Sequence, residues 1–269
     1  MAQIRLPVVA GQFYPSTVSS LERQIKELID TKLKKTDVIA AISPHAGYVY
    51  SGHVAGAVFS RTNIKDTNII LGPNHTGSGE TFSVMTEGTW KMPLGNLQID
   101  EKLAEDLIGG CGMLKSDIAA HLYEHSIEVQ LPFMQYFKKD FKFVPIIISQ
   151  AELKAYKKLG QEIAGVIKGS KKDVLLIAST DMTHYEPYEI AKSKDQAAIE
   201  AILALDEDML YEKIHDLDIS MCGYAPTIVV LSAAKVLGAR RAELVKYQTS
   251  GEVSGDLRSV VGYAGIIIE

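Results

Sequence analysis

"DVIAAISPHAGYVYSG" (37–52) joins an apolar run to a histidine-bearing loop and then to a helix that the pattern places over 52–61. The run "DVIAAI" (37–42) is apolar at successive positions, as a strand covered on both faces must be. His45 follows it directly, flanked by Pro44 on one side and by Ala46 and Gly47 on the other. A histidine packed into a core would be walled in by larger side chains. Small neighbours leave room beside the ring, and strand–loop–helix is the unit from which an open α/β sheet is built.

The same arrangement recurs along the chain. Apolar runs at 67–71 ("TNIIL"), 141–148 ("FKFVPIII") and 173–179 ("DVLLIAS") read as further buried strands, and 242–248 and 259–268 complete the sheet. "TFSVMTEGTW" (81–90) mixes apolar and polar residues and reads as one edge or antiparallel strand. Helices are expected over 19–35, 100–108, 126–137, 151–168, 188–204, 206–216 and 226–237, the first with a capping-box spacing from Ser19 to Glu22. The expected architecture is α/β: a mixed, largely parallel sheet with helices on both faces. No linker divides the chain, so one domain over 1–269 is expected.

With 46% hydrophobic and 23% charged residues and a net charge of −5, the composition is that of an ordinary globular protein. No basic stripe argues for nucleic acid, and no apolar run approaches the roughly 18 residues of a membrane span. Two cysteines make no disulfide framework, and the N-terminus lacks the apolar core of a signal peptide. The expected setting is the cytoplasm.

The chemistry falls at the strand ends. His45 follows the first strand, "GPNHTG" with His75 follows the second, and "TDMTHY" with Asp181 and His184 follows 173–179. Ligands of open α/β sheets bind at the carboxyl ends of strands, so parallel neighbours would bring these loops to one crevice. Cys222, just ahead of a helix whose first turn holds Pro226, is placed where a helix dipole favours thiolate. Two imidazoles and a thiolate suit iron, zinc or copper; Asp181 in place of Cys222 would give a two-histidine, one-carboxylate set instead.

Two other readings compete. Asn74, Thr76 and Ser78 could contact an anion, which would make the pocket a non-catalytic binding site for a peptide, anion or protein partner. "HLYEH" (121–125) matches H-x-x-E-H, with His121 and His125 as zinc ligands and Glu124 as base if one helix carried both histidines. His53, His215 and Cys111 read as structural.

The ordered motifs "VAGQFYP", "SPHAGYVYSG", "LGPNHTG", "TEGTWKMPLG", "EHSIEVQLPF", "STDMTHY" and "MCGYAPT" resemble those of the Memo family across nearly the whole chain. That resemblance implies a fold like the class III extradiol ring-cleavage dioxygenases, with non-haem iron, or copper or zinc, held by His45, His75 and Cys222. It implies Asp181 and His184 as pocket residues for catalysis, His125 beside them, and Phe13 near the mouth. It also implies a link to radical-SAM and AMMECR-type proteins. Those dioxygenases carry a carboxylate where this chain carries Cys222. From the residues and the resemblance together, the expected function is a metal-dependent oxidoreductase in which His184 serves as acid/base and Asp181 orients it or a bound water.

Overall fold

The run at 67–73 becomes the middle of the sheet because every side chain in it finds cover. In the computed structural model, which describes residues 3–269, the strands are β1 (Ile4–Arg5), β2 (Ala40–Ser43), β3 (Thr67–Pro73), β4 (Phe82–Val84), β5 (Thr89–Met92) and β6 (Gly95–Ile99). They continue with β7 (Lys115–Ser116), β8 (Lys142–Ile148), β9 (Val174–Ser179), β10 (His184–Glu186), β11 (Ala242–Thr249) and β12 (Val260–Ile268). The helices are α1 (Val18–Leu28), α2 (Tyr48–Arg61), α3 (Glu101–Gly110), α4 (Ala119–Leu122) and α5 (Leu131–Phe137). After them come α6 (Leu153–Ser170), α7 (Tyr188–Leu203), α8 (Glu207–Asp216), α9 (Tyr224–Leu237) and α10 (Gly251–Ser254).

The sheet runs β1-β5-β6-β8-β3-β9-β2-β12-β10, with β11 on β12 and β4 joining β8 to β7. Its centre, β6-β8-β3-β9-β2, is parallel throughout, and β12 closes antiparallel onto β2. Ile69, Ile70, Leu71, Leu175, Leu176 and Ile177 are all fully buried at consecutive positions, which requires helices on both faces. Two glycines of β12 show how close the helices come. A Cβ on Gly265 would meet Val58 and Val54 of α2, and one on Gly262 would strike Asp195 of α7. Three residues apart, they face opposite sides of the strand. The apolar interior is one continuous cluster from Tyr14 to Ile268. No helix of the described residues is long and apolar enough to cross a membrane.

Three elements differ from the sequence reading. α1 starts at Val18 behind an N-cap Thr17 with no side-chain bond and stops at Leu28, so neither the Ser19–Glu22 cap nor the last seven residues to 35 materialise. Asp30 Oδ1 accepts the Lys32 N–H and Ser60 Oγ accepts the Asp30 N–H, and these side-chain bonds take the chain out of the helix. The segment 81–90 is two strands, broken where Gly88 takes φ +112 against the carbonyl of Gln3. The helix expected from 126 begins at Leu131 after a 3-10 turn (Glu128–Gln130), since Pro132, without an N–H, fits a first turn.

Candidate metal centre

β8, β3, β9 and β2 are neighbours and parallel, so the loops after β3, β9 and β2 leave the same edge. His45 is 2% exposed there. Ser179, the last residue of β9, fixes its ring. Ser179 Oγ lies 2.6 Å from the carbonyl of Ser126 and must give its proton to it. Its lone pairs then receive Gln130 Nε2 at 2.8 Å and His45 Nδ1 at 2.9 Å. His45 therefore carries its proton on Nδ1 and presents a bare Nε2. Burial, reinforced by His125 and His75, holds its pKa well below the ordinary value, so the ring is neutral.

Glu124 does the same for the second histidine. The carboxylate is 1% exposed and accepts the His75 N–H at 2.6 Å, His75 Nδ1 at 2.9 Å, and the N–H groups of His125 and Ser126 at 2.8 Å each. Burial opposes its charge, but the His75 ring and these N–H donors prevail and hold it at about 2. Burial likewise opposes charging His75, and the Glu124 carboxylate overrides it, so the His75 pKa is raised. With Nδ1 engaged, His75 also offers Nε2. The His125 ring stacks on His75 with centroids 4.7 Å apart and meets His45 edge-on at 5.5 Å. One ligand atom from each of His45, His75 and His125 lies within 4.8 Å of the other two.

Cys222 Sγ is 3.3 Å from His45 Nε2. Its position depends on Gly223, which donates to Thr180 Oγ1 at 2.9 Å and lies so close to β9 that an added Cβ would sit 2.5 Å from the Ser179 carbonyl. Gly223→Ala is therefore expected to cost about 1–3 kcal/mol in urea unfolding through overpacking; a cost below the error of the measurement would contradict the close approach. The expected dipole effect on Cys222 is outweighed. Burial, with Asp181 nearby, pushes the thiol well above its usual range.

Asp181 accepts the His45 N–H at 2.8 Å, with Oδ2 4.0 Å from His45 Nε2, and burial raises it to about 6. It does not bond the His184 ring, whose Nδ1 lies 2.9 Å from the carbonyl of Ser220. That carbonyl places the proton on Nδ1 and leaves His184 Nε2 as a base. Phe13 stands edge-on to His125 at 5.0 Å.

The competing readings find less support in the geometry. α4 ends at Leu122, so no helix carries both His121 and His125; His121 is buried with Nε2 on Ser83 Oγ at 3.0 Å, away from the cluster. The side chains of Asn74 and Thr76 are spent on each other, on the Ser78 backbone and on Gly77 and Ser149. Cys111 is buried and its thiol is pushed up to about 12. Ser179 and Gln130 had no part in the sequence-derived site, and Glu124 entered it only as the base of the H-x-x-E-H reading, not as the partner of His75.

The donor chemistry fits a transition-metal ion: imidazoles with oriented Nε2 atoms, an adjacent sulfur, and a carboxylate braced behind the His75 ring. A family model described as "Memo-like protein" matches residues 5–267. A protein of Methanosarcina barkeri described as a MEMO1 family protein is 47% identical over 268 residues, covering 99% of this chain and all of its own. Another from Methanosarcina mazei is 45% identical over 269 residues with 99% and 100% coverage. A third, from Methanopyrus kandleri, is 42% identical over 277 residues with 98% of each chain covered. Among solved structures, an uncharacterized Escherichia coli K12 protein superposes with a TM-score of 0.58 at 14% identity, covering 85% of this chain and 98% of that one. At that identity the likeness concerns the fold alone.

Proposed function

The chain belongs to the Memo family, and from that premise we propose that it is a metal-dependent oxidoreductase acting on a small molecule with an ionisable hydroxyl. The observation that carries the proposal is the convergence of His45 and His75, at the ends of two strands of the parallel sheet, with His125 from the loop after α4, all within 4.8 Å, and with Cys222 against His45. His45 and His75 are the ligands on which the reading rests, and Cys222 is the third. Iron, or copper in its place, would supply Lewis acidity and one-electron chemistry when bound.

The chain's own residues divide the remaining work. Ser179 and Glu124 hold two imidazoles in a fixed tautomer, so no tautomer change is needed when the site is loaded. His184, half-buried and bonded through Nδ1, offers Nε2 to take a proton from the substrate hydroxyl. Asp181 bonds the backbone of His45 and keeps the loop after β2 in place. Phe13 narrows the space beside His125 and gives a planar substrate an apolar surface.

The test is metal content by mass spectrometry after purification without oxygen or chelators. The native protein is expected to hold about one iron or copper per chain, and His75→Ala to lose it, since the His45–His75 pair that anchors the ion is then broken. Full metal content in a folded His75→Ala protein would reject the proposal.

A further inference from the structure

Resting on the metal-centre reading, we infer that His125 and Cys222 are interchangeable third ligands for the ion held by His45 and His75. Two donors stand nearby, His125 against both rings and Cys222 against His45, and they come from unrelated parts of the fold. His125 sits ahead of the 3-10 turn, its N–H fixed by Glu124 Oε1 at 2.8 Å and its ring stacked on His75. Cys222 sits ahead of α9, its Sγ taking the Asp181 N–H at 3.3 Å and its loop fixed through Gly223 on Thr180. Neither placement depends on the other.

Each donor lies within reach of an ion held at His45. Two nitrogens at ordinary zinc-like distances in a tetrahedral site stand about 3.4 Å apart, and a nitrogen and a sulfur about 3.5 Å. Cys222 Sγ is already 3.3 Å from His45 Nε2. The three imidazoles, within 4.8 Å of one another, need a closure of at most about 1.4 Å, which side-chain rotation provides. The two sets favour different ions: a thiolate selects soft metals, whereas three imidazoles accept zinc, copper, iron or nickel. A thiol must also release its proton to bind, whereas a neutral imidazole need not. The centre thus retains a metal when the sulfur is removed, and its preference among metals shifts.

Cobalt(II) is the probe, added to metal-free native protein and to Cys222→Ala, His125→Ala and doubly substituted proteins, with circular dichroism confirming each fold. Cys222→Ala is expected to bind one cobalt within about 10-fold of native affinity but without the near-ultraviolet thiolate-to-cobalt band, and His125→Ala to bind similarly with the band intact. The double variant should bind about 100-fold or more weakly. Loss of cobalt from Cys222→Ala alone would overturn the inference, as would a double variant no weaker than Cys222→Ala. If the native protein takes up no cobalt, the metal-centre reading itself falls.

Discussion

Replacing Arg5 with alanine is expected to destabilise the protein by about 3–5 kcal/mol, the cost of leaving a buried charge without its partner. Arg5 is 2% exposed, and its Nη1 lies 2.8 Å from Glu128 Oε2. The guanidinium also donates to the carbonyls of His121 at 2.7 Å and Glu124 at 2.5 Å, and it lies 3.8 Å over the Trp90 ring. Opposite it, Glu128 accepts the Val8 and Val9 N–H groups and the Tyr14 hydroxyl, the last at 2.7 Å. One ion pair therefore joins β1, the N-terminal loop and the segment that carries Glu124 and His125.

Lysine cannot rescue it, since one ammonium lacks the planar fork that reaches two carbonyls and a carboxylate together. For a chain of this size the loss corresponds to a fall in melting temperature on the order of 10 °C. Arg5→Met combined with Glu128→Gln should cost less than the sum of the two single changes, because neither then strands the other's charge. A melting temperature for Arg5→Ala within 2 °C of the native value, roughly the effect of less than 1 kcal/mol, would show that the pair carries little of this stability.

The contrast between Arg5 and His45 shows what a single sequence discloses. His45, His75, Asp181, His184 and Cys222 could be picked out because each follows an apolar run or precedes a helix, and the order of the sheet brings strand ends together. The strands themselves were legible where they were long and buried on both faces. β6, with exposed Gly95, Asn96 and Gln98, and the three-residue β10 had no such run to announce them. Glu124, Ser179, Gln130 and Arg5 act through contacts more than 40 residues away in sequence, from 49 for Glu124 with His75 to 134 for Ser179 with His45. Local pattern holds no trace of such pairing. The H-x-x-E-H match misled for a related reason: spacing implies one helical face only if the helix continues, and α4 stops after four residues.

Glu124 is where the second large effect is expected. The carboxylate receives N–H groups on both oxygens: Oε2 from the His75 backbone, and Oε1 from the His75 ring and the backbones of His125 and Ser126. Glutamine keeps one accepting oxygen but turns an NH2 toward an N–H, so at least one of these contacts becomes repulsive. Glu124→Gln is expected to weaken metal binding about 10- to 100-fold, as loss of an orienting partner does elsewhere. Glu124→Ala should weaken it further and also destabilise the fold by about 1–3 kcal/mol for each buried N–H left without a partner.

The pH dependence separates orientation from simple damage. With Glu124 charged, the His75 pKa is raised, so protons compete with the metal at His75 at a higher pH than at an ordinary imidazole. Without that charge the His75 pKa falls, and the acid limb of metal binding should move to lower pH even as affinity at neutral pH drops. Chelator-competition titrations across pH, on native and Glu124→Gln proteins of equal melting temperature, measure both. Weaker binding with an unmoved acid limb would mean that Glu124 supports the loop without tuning the ring; native affinity with an unmoved limb would remove it from the site altogether.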